Sequence, residues 1–211
     1  MSVAEDPGPG EQAALIEALL VHVPFDGWTR RALRHALADR GADPHDAAGL
    51  FPRGATEMVA AYAAWADRRM AEDTAAADLA GLGLTRRVRA VIALRLARNR
   101  PYKEAVRRAL AVLALPANAP AALRITGATV DAIWHAAGDR SADFSWYTKR
   151  AILAAVWTAT LLYWLRDSSA EDEATLAFLD RRLAGIGRIG KLRGKLAGAM
   201  ERVRPARFRP G

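Results

Sequence analysis

Apolar residues along this chain recur at steps of three and four and rarely alternate, a period that leaves little besides α-helix. In EQAALIEALLVH (11–22) the stripe is Ala14, Leu15, Ala18, Leu19 and His22. In TRRALRHALADR (29–40) it is Leu33 and Leu37, with Thr29 placed to cap the start and Gly41 to close the end. Ala, Leu and Arg dominate, and these are strong helix formers. With 52% hydrophobic residues over 211 positions, the chain has enough apolar side chain for one compact core. The expected class is all-α.

Gly and Pro divide the remainder into further helices. Pro24 and Gly27 are expected to end the first, and Pro44 opens a short one, DPHDAAGLF, stopped at Pro52. From Gly54 a longer helix runs through ATEMVAAYAAWADRRM to Met70. Helices are then predicted over Thr85–Arg98, Tyr102–Leu113, Ala121–Ala137, Ser145–Arg166 and Glu171–Ala184, with breaks at Pro101, Pro116 and Pro120. The stretch AILAAVWTATLLYWL, Ala151–Leu165, is apolar almost all round. It is shorter than the ~20 residues that span a bilayer, so it reads as a buried central helix.

Charge is localised. Of 31 Lys and Arg and 23 Asp and Glu, eight bases and one acid lie from Arg188 onwards, leaving 23 bases against 22 acids. The body is nearly neutral and the end basic, a pattern suited to a membrane or polyanion surface. In that end, Ile186, Ile189, Leu192, Leu196, Met200 and Val203 step by three and four among Arg188, Lys191, Arg193 and Lys195. This is the layout of an interfacial amphipathic helix, weakened by Gly187, Gly190, Gly194 and Gly198. The chain has no Cys, which excludes disulfides and thiolate chemistry in it. The start, MSVAEDPGPG, has the form of neither a secretory signal nor a transit peptide, so a cytoplasmic protein is expected.

Few motifs point to catalysis. GIGRIG (185–190) spells G-x-G-x-x-G, but dinucleotide and phosphate loops need a strand entering the glycines, and FLDRRLA before it is helical. His135 has Asp131 and Asp139 four residues to either side; Gly138 should end the helix and carry Asp139 off that face. His22, His35 and His45 are scattered over three segments and read as packing or surface residues, so no metal site is expected. No Glu-x-x-His pair of the di-iron bundles is present, nor a nucleophile elbow. Trp65, Trp157 and Trp164 fall at core spacing. Trp146, beside Asp143, Ser145, Lys149 and Arg150 in GDRSADFSWYTKR (138–150), fits core packing and a partner-binding edge equally well.

Two short helices around a tight turn, then a longer one, resemble the amino-terminal head of the tetracycline-repressor (TetR) regulators. The run VDAIWHAAGDRSADFSWYTKRAILAAVWTATLLYWLRDSS (Val130–Ser169) closely resembles the hallmark region of the CoQ nine family of ubiquinone-biosynthesis accessory proteins. HVPFDGWT (22–29), LFPRG (50–54), ADRRM (66–70), LALP (113–116) and FLDRR (178–182) look like the same family. The resemblance implies a TetR-like fold without catalytic residues or cofactor. Its expected layout is a leader (1–10), a helix-turn-helix-like head (11–70), a lipid-binding helical domain (71–184) and the basic amphipathic end (185–211). It implies a pocket for isoprenoid quinone precursors or phospholipid, to which Leu153, Trp157, Leu161 and Trp164 are assigned. It also implies a surface for the di-iron demethoxyubiquinone hydroxylase, or another hydroxylase of the pathway, at Asp143, Trp146 and Tyr147, with Ile133 on the preceding helix. A membrane contact at Lys191, Leu192, Lys195, Leu196 and Met200 would make the protein peripheral on the inner membrane. A homodimer through the late helices follows by analogy of fold.

The alternatives are a TetR-type regulator and an oxidoreductase using GIGRIG. The segment that would enter the DNA groove, DPHDAAGLF, carries two Asp and no Arg or Lys, which argues against nucleic acid as a partner.

Overall fold

The computed structural model describes residues 9–139 and 146–185, and every regular element among them is helical. Helices α1 (Pro9–Asp26), α2 (Arg30–Asp39), α3 (Ala47–Leu50) and α4 (Ala55–Ala76) come first. They are followed by α5 (Leu84–Asn99), α6 (Lys103–Leu113), α7 (Ala119–Ala136), α8 (Trp146–Trp164) and a helix over 173–185, here α9. The all-α expectation holds.

Local chemistry sets the boundaries. Thr29 Oγ1 accepts from Ala32 N (3.3 Å) at the start of α2, as its position in the sequence suggests. Asp43 Oδ1 accepts from His45 N (2.8 Å) and begins the 3₁₀ turn Pro44–Asp46 that leads into α3. Gly54, at φ 68 and ψ −136, occupies backbone that only glycine adopts readily, and it re-aims the chain into α4. Gly138, at φ 75, closes α7, and Asp139 N reaches back to Trp134 O (3.1 Å).

Three boundaries differ from the sequence reading. Pro24 does not end α1, which runs on to Asp26 before Gly27 turns it at φ 71. A proline in the last turn forfeits only its own N–H bond, and Gly27 N closes that turn on Val23 O (2.9 Å). Pro120 sits in the first turn of α7 and starts it, because orphan N–H groups are the rule there. Helix α4 continues past Met70 to Ala76, so the boundary expected after residue 70 falls inside a helix.

One apolar core joins the head and the bundle. Ile16, Leu19 and Val23 of α1, Leu33 and Leu37 of α2, Met58, Trp65 and Met70 of α4, Ile92 and Leu96 of α5 and Ile133 of α7 are all buried in it. Trp28, in the turn after α1, donates its indole N–H to Ala105 O of α6 (3.0 Å). Trp28, Tyr62, Trp65 and Tyr102 then form a chain of ring contacts with centroids 5.3 to 6.0 Å apart. The head is thereby fastened to the bundle by buried side chains, not by a linker.

Helix α8 is less enclosed than its composition suggests. Leu153, Val156, Trp157, Thr160 and Trp164 are buried, Tyr147 and Leu162 are exposed, and Ile152 and Tyr163 are partly exposed, Tyr163 with its ring stacked on Phe178 of α9. The expectation of a buried central helix therefore holds for one face only. Among the described residues no single helix is long and apolar enough to cross a membrane.

Candidate lipid site and partner surface

The chain has an apolar cavity where the first turn of α5, the end of α7, the start of α8 and α9 meet. Its volume is about 170 Å³, and its walls include Leu84, Val88, Trp134, Ile152, Leu153 and Leu183. Thr85 and Lys149 line it as well, the Lys149 ammonium lying 3.9 Å from the Asp139 carboxylate. The indole N–H of Trp134 is buried without a hydrogen-bond partner among the described residues.

A second, smaller cavity of about 80 Å³ lies deeper, between α4, α5, α6, α7 and α8. Val106, Leu113, Ile125, Trp157 and Leu161 give it apolar walls, and Tyr62, Arg95, Asn99 and Thr129 give it a polar floor. That floor belongs to a buried network. Asp67 Oδ1 accepts from Arg95 Nε (3.1 Å) and lies 3.0 Å from its Nη2, and Asp67 Oδ2 accepts from the Thr129 hydroxyl (2.9 Å). Tyr62 donates its hydroxyl to Asn99 Oδ1, and Asn99 Nδ2 donates to Arg95 O (2.6 Å). Burial raises the Asp67 carboxyl above its ordinary value against the pull of Arg95 and the Thr129 hydrogen bond. Burial also pushes the Tyr62 phenol up to about 12.

Of the residues assigned to lipid, Leu153 lines the first cavity, and Trp157 and Leu161 line the second. Trp164 lines neither. It is sealed in the core, with Lys103 Nζ 4.8 Å from its ring centroid. Of the residues assigned to a partner, Tyr147 is 75% exposed at the start of α8. Ile133 is wholly buried in the core, so it cannot touch a partner. Asp143 and the Trp146 side chain lie outside the described residues, as do Lys191, Leu192, Lys195, Leu196 and Met200.

The other motifs resolve plainly. Trp65 and Trp157 are core residues. His135 donates from Nδ1 to the Asp131 carbonyl (2.7 Å), Asp131 pairs with Arg150, and Asp139 turns towards Lys149, so these three side chains do not converge. The chain enters GIGRIG from α9, not from a strand, and positions 186–190 lie outside the described residues. His22 and His35, expected to be apart, are brought together with ring centroids 5.3 Å apart.

The sequence reading missed the Asp67–Arg95–Thr129 network. Its signal was an acid inside the apolar stripe of α4, between Trp65–Ala66 and Met70, with a base at the matching place in α5. It also missed the cap on α9. Asp167 accepts at Oδ2 from Thr175 N (2.8 Å) and the Thr175 hydroxyl (2.5 Å), and at Oδ1 from Ser169 N (2.8 Å).

Residues 119–190, which cover α7, α8 and α9, match the COQ9 family. The chain is 34% identical over 200 residues to the ubiquinone biosynthesis protein COQ9-B, mitochondrial, of Xenopus laevis, covering 91% of this chain and 68% of the relative. The chain belongs to the COQ9 family. It is also 34% identical to the mitochondrial COQ9 proteins of Xenopus tropicalis and Homo sapiens, covering 91% and 82% of itself. It spans only 62% and 56% of the length of those two relatives. Among solved structures it is similar to a TetR transcriptional regulator from Nitrosomonas europaea, with a TM-score of 0.65 and 20% identity. That match covers 82% of this chain and 95% of the regulator. The likeness establishes a TetR-like fold and nothing about DNA. The 170 Å³ cavity is lined by Trp134, Lys149, Ile152, Leu153 and Leu183 of the matched region, together with Leu84, Thr85 and Val88 of α5 outside it.

Proposed function

We propose that this chain is a non-enzymatic accessory protein of ubiquinone biosynthesis that holds an isoprenoid quinone precursor, or a phospholipid, and presents it to a membrane-associated ring hydroxylase. The observation that carries this reading is the 170 Å³ cavity. An apolar cavity of about 150 Å³ is enough to hold benzene, so this one accepts a single substituted ring or a short piece of tail. The Trp134 N–H and the Lys149 ammonium suit oxygen substituents on such a ring. Ile152 lines the cavity and is 37% exposed, which marks where the rest of a long tail leaves it. A polyprenyl tail costs about 0.8 kcal/mol per CH₂ to expose to water, so a carrier must cover it or return it to the membrane.

The hydroxylase docks on the exposed start of α8, at Tyr147 and the adjoining Asp143 and Trp146 positions. Leu162, exposed further along α8, suits a second copy of the chain. The basic end brings the protein to the inner membrane from the cytoplasmic side. A regulator reading is disfavoured because α3 is a single turn and the stretch from Gly41 to Pro52 holds no Arg or Lys.

Extraction of the purified, folded protein followed by mass spectrometry tests the reading. An isoprenoid or phospholipid recovered near one per chain is expected, and recovery of neither from folded protein would overturn it. Tyr147→Lys should weaken capture of the hydroxylase while the circular dichroism spectrum stays unchanged.

A further inference from the structure

We propose that the corner between α1 and α2 is a binding site for a divalent transition metal, built from His22, Asp26 and His35. The sequence repeats one spacing, His-x₃-Asp, on each helix: His22 with Asp26 in α1, and His35 with Asp39 in α2. A four-residue step puts both members of a pair on one helical face, and the two helices pack against each other. The contacts cross between the helices. His22 Nε2 is 2.6 Å from Asp39 Oδ2, and His35 Nδ1 is 3.0 Å from Asp26 Oδ2.

One ligand atom from each of His22, Asp26 and His35 lies within 4.8 Å of the other two, and this is the one such group among the described residues. Metal–ligand bonds of about 2.0–2.2 Å put neighbouring ligand atoms roughly 3–4 Å apart, so small side-chain rotations close the set around an ion. The other Asp26 oxygen is 3.2 Å from Arg31 Nε, which orients the carboxylate while leaving Oδ2 to the metal. Asp39, already on the His22 ring, is the nearest further carboxylate. Two imidazoles and one carboxylate select zinc, cobalt or nickel over magnesium and calcium, whose preferred ligands are all oxygen.

Access and shelter are both provided. The His35 side chain is 46% exposed, giving an ion a path in, while Asp26 is only 14% exposed. Bound there, the ion bridges α1 and α2 and fastens the head across the turn that carries Trp28. Using Nδ1 of His35 as a ligand puts the ring proton on Nε2, which faces water.

The test uses the untagged full-length chain, stripped with EDTA and titrated with Co²⁺ and then Zn²⁺. One Co²⁺ per chain with visible d–d absorption is expected, bleached by Zn²⁺. His22→Gln and His35→Gln should each weaken binding at least ~10-fold, while His45→Gln and His135→Gln leave it unchanged. No saturable binding of either ion by the wild type below about 100 μM overturns the proposal, and so does binding that survives the His22→Gln/His35→Gln pair. Should the variants unfold, the wild type decides by NMR. The chain has four histidines. Zinc must move the ring signals of His22 and His35, and movement confined to His45 or His135 overturns the site.

Discussion

The ion pair of Asp67 and Arg95 offers the sharpest test of how this fold is held together. Arg95 is 5% exposed and Asp67 9%, and the guanidinium supplies two of the three donors around the carboxylate. Arg95→Leu keeps much of the apolar stem but leaves Asp67 with only the Thr129 hydroxyl. Removing one partner of a buried pair costs about 3–5 kcal/mol, chiefly through the charge left behind. The carboxyl limits that cost by taking up a proton, because burial already raises its pKa and the loss of Arg95 raises it further. The sign follows from linkage. A group whose folded pKa lies above its unfolded value stabilises the native state at low pH and loses that contribution as pH rises through the folded pKa. The Arg95→Leu deficit should therefore be smallest near pH 4 and grow towards pH 7.5. Urea unfolding at both pH values measures it. Arg95→Leu/Asp67→Asn removes the orphan charge and leaves an oxygen for Thr129, so it should regain at least ~2 kcal/mol over the single variant at pH 7.5. An Arg95→Leu cost below about 1 kcal/mol, or a double variant no more stable than the single, would refute the reasoning.

Three further outcomes are expected. Trp28→Phe removes the second hydrogen bond to Ala105 O, which keeps its bond within α6, and should cost about 1 kcal/mol by urea unfolding. Burial would raise the Asp167 carboxyl, but the hydrogen bonds from Ser169 and Thr175 outweigh it and hold the carboxyl well below the usual carboxylate range. Its stabilisation is therefore present above the unfolded value near ~4 and lost as pH falls below it. Asp167→Asn should cost about 1 kcal/mol at pH 7, and the difference from wild type should close below pH ~4. Lys191→Glu/Lys195→Glu should weaken cosedimentation with anionic vesicles by at least ~10-fold, since each basic residue near such a surface contributes about 1 kcal/mol. Unchanged sedimentation would remove these lysines from the membrane contact.

The helical class and most helix ends were legible because they depend on local chemistry. A three-to-four step, a Thr29 cap and a glycine after the last turn act within one element, and the sequence states them directly. Pro24 and Pro120 were misread for different reasons: in the first turn of α7 the missing N–H of Pro120 would have had no partner, whereas Pro24 gives up one bond in the last turn of α1, too late to shorten the helix before Gly27 ends it. Which side of α8 is covered was not legible, because its composition is apolar on both sides and only the packing of α5, α7 and α9 chooses between them. Ile133 shows the same limit from the other direction. It belongs to the hallmark region, but three-dimensional packing buries it in the core and not at the surface it was expected to form.

Pairings between distant residues were the least legible, and they are where function concentrates. Asp67 and Arg95 are 28 residues apart, and each alone looks like an ordinary charge on a helix rich in charges. Only their shared burial puts Arg95 in the polar floor of the smaller cavity, held there by Asp67. The same holds for Trp134 and Lys149. An indole at the end of α7 and an amine at the start of α8 come to line one cavity, with Gly138 ending α7 between them in the sequence. The hallmark segment thus bears on two proposed roles at once. Its glycine turns the chain at the end of α7, and its residues from Trp146 begin the helix that lines the cavity through Ile152 and Leu153 and leaves Tyr147 exposed as the proposed partner contact. A substitution at Tyr147 should therefore change partner capture without changing lipid content, and one at Leu153 should do the reverse. If both variants changed both properties together, the two sides of α8 would not be separable and the division of roles argued from the fold would fail.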